Sequence, residues 1–388
     1  MLIVKKLYNR VLDLDKILKK NSFFLFGARG IGKSWLIKNT LRADYYYDLL
    51  DAPLYSQLSA RPELFAEQIA LAKPGALVVV DEIQRIPELL NTVHKAIENQ
   101  GLTFLLTGSS ARKLRRGKVN MLAGRVWEAR LFPLTYFELG KDFNLETYLT
   151  RGGLPRSYRS EDWAEELRAY VGTYLKEEIS DEALTRSLPQ FSRFFDVAAM
   201  QSGQELSLEG IASDAQVKAK TVSNYVEILE DTLLGFRVQA FQKTKTRKAI
   251  TRAKFFLFDV GVTGYLTKRG DVRKGSENFA KAFEHFVFQE VQAYLSYFRS
   301  DMELMYWRSV NKQEVDMIIG EELAVEIKAT SLVQDKHLKG LRALREEKKI
   351  KNYCVISDEQ RARIVDGIIV YPWRDFLDKL WANELFNH

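Results

Sequence analysis

Two short stretches in the first third of the chain have the residue types and spacing to hold a nucleoside triphosphate. The first is Gly27-Ala28-Arg29-Gly30-Ile31-Gly32-Lys33-Ser34-Trp35, preceded by the apolar run Phe23 to Phe26 and followed by a helical pattern. Glycines at 27, 30 and 32 let the backbone fold tightly and turn N–H groups toward phosphate oxygens, where a helix N-terminus adds partial positive charge. Lys33 is then placed to reach the β- and γ-phosphates, and the Ser34 hydroxyl to ligate magnesium. The second stretch, Leu77 to Val80, is a buried-strand run that ends in Asp81-Glu82. Asp81 at the strand's C-terminal edge would hold the magnesium shell, and Glu82 would orient and deprotonate the attacking water. Either stretch alone arises by chance; the two in this order predict a hydrolytic nucleotide site.

A third apolar run, Thr103 to Leu106, leads into Thr107, Ser109 and Ser110. Its C-terminal end is the edge of a parallel sheet where ligands collect. Ser109 or Ser110 would sense the γ-phosphate there, or else cap the next helix. Downstream lie Arg112, Arg115, Arg116 and Arg125. Of these, Arg125 is favoured as an arginine finger that stabilises phosphoryl-transfer charge, against the commoner outcome of a solvated surface arginine.

With these residues in view, the chain resembles the AAA-type ATPases, and more narrowly a prokaryotic family carrying GxRxxGKS, DEIQ, TGSS, AGR and PLTxxE motifs in order. Here they read Gly27 to Ser34, Asp81 to Gln84, Thr107 to Ser110, Ala123 to Arg125, and Pro133 to Glu138, with Gly152-Gly153-Leu154-Pro155 entering the helical region. The resemblance covers nearly the whole chain. It implies ATP with Mg2+, a homo-oligomer with sites between subunits, and a C-terminal domain of uncertain function; no Asn-Lys-x-Asp motif that would read guanine is present.

In the middle of the chain, Leu206 to Asp214 predicts a short helix, Ala215 to Lys218 a turn, and Ala219 to Leu229 a second helix with Val222, Tyr225, Val226 and Leu229 on one face. Lys218, Lys220, Thr221, Ser223 and Asn224 fall on its exposed positions, types that contact phosphates and base edges when such a helix enters a major groove. The following stretch gathers Lys243, Lys245, Arg247, Lys248, Arg252 and Lys254 without an acid, as a wing tracking a phosphate backbone would. These residues predict a winged helix on double-stranded DNA, and equally describe an ATPase lid or protein-contact module whose basic hairpin is a solvated edge.

Near the C-terminus, EVDMIIGEELAVEIKAT alternates like two strands joined at Gly320-Glu321-Glu322. If Asp316 pairs opposite Glu326, one face gathers Asp316, Glu326 and Lys328, whereas a one-residue slip would part them. The helical stretch upstream sets Glu284 and Glu290 within the arc of Phe283, Phe286, Val287, Val291 and Tyr294, and carboxylates on an apolar face call for partners. This set is similar to the PD-(D/E)xK nuclease superfamily, although Val315 stands where a proline is usual. The resemblance implies Glu284, Asp316 and Glu326 as metal ligands and Lys328 as the group that polarises water or steadies the transition state. A charged hairpin pairing internally is the competing view.

The elements that must position these groups divide the chain into an α/β P-loop ATPase domain (1–145), a helical and winged-helix region (146–250) and a mixed α/β restriction-endonuclease-like domain (251–388). A length of 388 residues suits two or three domains, and 46% apolar with 28% charged residues is ordinary globular composition. No apolar run approaches a bilayer span and the first residues lack a signal peptide's apolar region, so the expectation is a cytoplasmic chain without a membrane partner. The lone Cys354, in an apolar run, reads as a buried strand residue, and four histidines with one cysteine leave no zinc cluster. A net charge of +7 favours a polyanionic partner. Three functions follow: an ATPase coupled to DNA binding, a nucleotide-controlled switch acting on a protein, and an ATP-gated metal-dependent nuclease.

Overall fold

The computed structural model describes residues 8–108, 122, 124–175, 188–270 and 272–386. Contacts divide the chain into two compact units, one reaching to Phe132 together with Asp231–Leu233, the other starting at Pro133. Residue 250 falls in the loop between two strands of a single sheet.

In the first unit, β1 (Ser22–Phe26), β2 (Tyr45–Asp48), β3 (Leu77–Asp81), β4 (Thr103–Gly108) and β5 (Val126–Arg130) form a parallel sheet ordered β2-β3-β4-β1-β5. Alternate residues of the three central strands, Phe24 and Phe26, Val78 and Val80, Phe104 and Leu106, enter one core with Leu89, Leu90 and Val93 of helix α2 (Leu89–Gln100). Phe23, Leu25, Val79 and Leu105 between them are also fully buried. Both faces are covered, which is why these strands read as unbroken apolar runs. Helix α1 (Lys33–Thr40) leaves from the glycine loop after β1. Strand β4 separates β1 from β3, so the glycine loop and Asp81 flank the end of β4.

In the second unit, helix α3 (Leu188–Met200), β6 (Gln204–Glu205), α4 (Leu208–Ala215), α5 (Ala219–Asp231), β7 (Gly235–Ala240) and β8 (Lys254–Leu257) follow in order. Ser207 caps α4 by accepting from Gly210 N, and Gln216, in the left-handed region at φ 55°, ends it. Tyr225 packs against Phe191 and Phe194 at ring-centroid distances of 4.9 and 5.1 Å, which seats α5 on α3. β8 pairs antiparallel with both β6 and β7.

β7 then pairs parallel with β9 (Leu304–Arg308), so the sheet runs on through β10 (Glu314–Ile319), β11 (Leu323–Lys328), β12 (Asn352–Ser357), β14 (Ile368–Pro372) and β13 (Arg363–Val365). Helices α6 (Val260–Leu266), α7 (Glu277–Tyr297), α8 (Lys339–Arg345) and α9 (Trp373–Trp381) complete the unit. Two of the motifs singled out in the sequence are structural here. Thr135 and Glu138 form a reciprocal capping box on the turn of helix they begin. Asp259, at the start of α6, accepts from the backbone N–H groups of Gly153, Gly261 and Val262 at 2.8 to 2.9 Å. A Cβ on Gly152 would lie 2.1 Å from that carboxylate, and one on Gly261 would lie 2.3 Å from the Arg151 carbonyl, so this close approach requires glycine at both positions.

Candidate nucleotide site and carboxylate–lysine cluster

The glycine loop is a backbone cradle. Gly30 and Gly32 have φ of 81° and 100°, and a Cβ on Gly27 would lie 2.7 Å from the Leu131 carbonyl. Gly32 begins α1 without any side-chain cap, so the first N–H groups of the helix are left for an anion. Ala28, Ile31 and Lys33 are buried, and Arg29, Ser34 and Trp35 half-buried. The Lys33 ammonium donates to the carbonyls of Gly27 and Ala28 at 2.6 and 3.3 Å, folded over the loop it serves. Arg10 braces this loop by donating to the Ile31 carbonyl at 2.9 Å and to that of Phe132.

At the neighbouring strand ends, Asp81 is buried to 1% exposure and both its oxygens accept hydrogen bonds. One takes the Thr107 hydroxyl, the other the Tyr46 hydroxyl at 3.0 Å. Burial and the Asp81 charge together push the Tyr46 phenol far above its ordinary range, so it remains a donor. Thr107 Oγ1 also accepts from Glu82 N at 3.0 Å, and Glu82 sits in the left-handed region at φ 61°. The Gln84 amide donates to the Glu82 carboxylate. A Cβ on Gly108 would fall 2.7 Å from Gln84 Oε1, so the Gln84 side chain packs directly over this glycine. The structure thus brings Asp81, Glu82 and Thr107 together. Arg125 is held by Glu98 at 2.6 to 2.7 Å, and Ser109 lies outside the described residues.

On α5, Lys220 and Asn224 are exposed and Thr221 half-buried, with Lys218 exposed in the preceding turn. The basic loop between β7 and β8 differs from a free wing. The Glu347 carboxylate accepts from three successive backbone N–H groups, those of Lys245, Thr246 and Arg247, at 2.7 to 3.0 Å. The Arg247 side chain pairs with Glu346 at 2.5 Å, and Lys243 pairs with Glu321. Lys245 and Lys248 remain exposed, whereas Lys254 is buried.

The antiparallel register of β10 with β11, Met317 with Val325, sets Asp316 opposite Glu326. Lys328 Nζ reaches Glu326 at 2.6 Å and Asp316 at 3.1 Å, and Ile327 N donates to Asp316 at 2.8 Å. A register shift between Val315 and Ile318 against β9 marks a bulge at Asp316. Glu284 on α7 faces Lys254 at 3.3 Å instead of an open cavity, and Glu314 faces the same ammonium at 2.9 Å. Burial alone would lower the Lys254 pKa, but Glu284, Glu314 and Asp316 raise it well above the ordinary lysine value. Burial and the Asp316 charge push Glu326 upward, with Lys328 opposing. Among the described residues, no three His, Cys, Asp or Glu side chains are arranged to hold a metal ion. Of the expected ligand set, Asp316 and Glu326 meet on Lys328, and Glu284 meets Lys254. Glu290 lies apart, accepting from Tyr136 N and Trp381 Nε1 at 2.8 and 2.9 Å.

Three family models match successive parts of the chain: an AAA domain over residues 19–140, a domain of unknown function (DUF8612) over 142–273, and another (DUF4143) over 279–376. The AAA-domain match spans the parallel sheet, the glycine loop and the acidic strand end. Relatives include an uncharacterized protein of Mycobacterium tuberculosis, 24% identical over 328 residues (82% of this chain, 73% of the relative). Another is an uncharacterized protein of Methanocaldococcus jannaschii, 25% identical over 446 residues (97% and 88%). Among solved structures, the Aeropyrum pernix ORC1 protein in complex with DNA aligns over 68% of this chain and 93% of that one, at 12% identity and a TM-score of 0.31. That likeness is too slight to carry a functional argument. Among the described residues, no helix is long and apolar enough to cross a membrane.

Proposed function

We propose that this chain binds and hydrolyses ATP with magnesium and couples the nucleotide cycle to contact with double-stranded DNA. The observation that carries the first half is the placement of buried Asp81, fixed on both oxygens, beside an uncapped helix start and a positive-φ glycine loop. The donor set fits the group. Loop N–H groups and Lys33 would hold the phosphates, Ser34 and Asp81 the magnesium shell, and Glu82 would take a proton from the attacking water. Magnesium, when bound, supplies charge neutralisation at the phosphates. Thr107 acts through Asp81 and Glu82 as a positioning residue.

The DNA half is supported by the exposed Lys218, Lys220 and Asn224 on and beside the helix–turn–helix formed by α4 and α5. Lys245 and Lys248 are exposed on the following loop. A second reading, a switch that acts on a protein partner, is favoured by the pairing of Lys243 and Arg247 within the chain. A homo-oligomer belongs to either reading. Steady-state ATP hydrolysis with and without double-stranded DNA, at low and moderate salt and with Glu82→Gln as the blank, separates the two. Stimulation that fades with salt supports the DNA reading, and turnover indifferent to DNA supports the switch.

A further inference from the structure

Six charged side chains meet where β8, β10, β11 and α7 converge. Glu284, Glu314, Asp316 and Glu326 contribute four carboxyl groups, and Lys254 and Lys328 two ammonium groups. Arg308 stands at the margin, 3.8 Å from Glu314, and pairs with Glu205. The two lysines divide the work. Lys328 bridges Asp316 and Glu326. Lys254 enters from β8 with only 5% of its surface exposed, bridges Glu284 and Glu314, and lies 5.1 Å from the centre of the Tyr306 ring.

The cluster keeps two signs of an incomplete cation complement. Its carboxylates outnumber its ammonium groups by two, four against two. Glu326, at 8% exposure, has one oxygen, Oε2, that is buried with no hydrogen-bond partner. Such an atom costs stability unless something compensates it. An ammonium brings one charge and three donors, whereas a divalent cation brings two charges and takes several carboxylate oxygens at once.

We propose that Lys254 is the resident cation of this cluster, and that its ammonium keeps closed a divalent-cation site that Glu284, Asp316 and Glu326 would otherwise form. The wild-type unit then performs no metal-dependent cleavage, and its C-terminal carboxylates act as an ion-paired joint between α7 and the sheet. This inference does not depend on the nucleotide reading.

The test uses the full chain carrying Asp81→Asn, so that the nucleotide site does not add metal binding. Mn2+ is titrated by calorimetry and by electron paramagnetic resonance. The parent chain is expected to show no site at the cluster, and Lys254→Met to gain one equivalent, bound at least tenfold more tightly than any residual surface binding of Mn2+ by the parent. Adding Asp316→Asn should remove that gain, and Lys254→Arg, which keeps the charge, should stay closed. If circular dichroism shows Lys254→Met unfolded, the neutral and polar Lys254→Gln takes its place with the same expectation. The proposal is overturned if the parent chain already binds Mn2+ at a site that Glu326→Gln removes. It is overturned equally if neither neutral variant gains a site.

Discussion

At the scale of single residues, the proposed nucleotide site depends on a hydroxyl with two partners. Thr107 donates to Asp81 and accepts from Glu82 N, so one side chain ties the Asp81 carboxylate to the backbone of Glu82. Replacing it with valine keeps the shape and removes both contacts. Thr107→Val should lower kcat for ATP by about 10- to 100-fold, the usual range for groups that orient metal ligands, with little change in ATP affinity. Lys33→Ala should abolish tight nucleotide binding, and Glu82→Gln should retain binding and lose turnover. Normal turnover in either variant would refute the site. Lys33, Asp81 and Glu82 were legible because their motifs fix them locally. Tyr46 and Arg10 were not, since their contacts span 35 and 122 residues of sequence. A second residue-scale prediction concerns Glu290. Burial pushes its carboxyl up to about 8, against the lowering effect of the Tyr136 and Trp381 N–H groups. The native state therefore keeps a proton that the unfolded chain releases above its ordinary carboxyl range. The stability this gives is complete at low pH and is lost as pH rises toward about 8. Urea unfolding at pH 5 and 7.5 should show a loss of about 3 kcal/mol in wild type relative to Glu290→Gln.

At the scale of elements, patterns of period two were readable and irregularities were not. The Gly320 turn and the Glu-x-Lys spacing made two strands readable but left their register open, and the pairing of Met317 with Val325 sets Asp316 opposite Glu326. The bulge at Asp316 has no such signature. Lys254 illustrates the difficulty most clearly. Its neighbours in sequence are basic, so composition assigns it to the exposed loop, yet it opens the buried strand Lys254-Phe255-Phe256-Leu257 and its burial depends on Glu284 and Glu314 from other elements. The approach of α6 to Gly152 offers a test at this scale. Gly152 has φ 76° and no room for a Cβ beside Asp259, so Gly152→Ala combines strain with a clash. It should destabilise the second unit by about 2 kcal/mol or more, measured by chemical denaturation.

At the scale of the whole molecule, the charge of +7 is distributed unevenly in its availability. Lys218, Lys220, Lys245 and Lys248 are exposed, while Lys243 and Arg247 are paired with Glu321 and Glu346. If DNA is the partner, each alanine replacement among the first four should reduce the slope of log affinity against log salt by about 0.9. The same change at Lys243 or Arg247 should move it much less, because those charges are already neutralised within the chain. A fluorescence-anisotropy salt series on the six variants checks this, and equal slopes across all six would contradict the assignment.

The sheet from β6 to β13 also bears on inheritance. Because β7 and β8 pair with each other and β7 pairs with β9, a genetic crossover near codon 250 would part strands that complete one another. Each recombinant would pair strands drawn from two parents, and where they fit poorly the open edge becomes a template for aggregation. Chains that exchange modules by recombination should therefore transmit the helix–turn–helix and the carboxylate–lysine cluster as one heritable block.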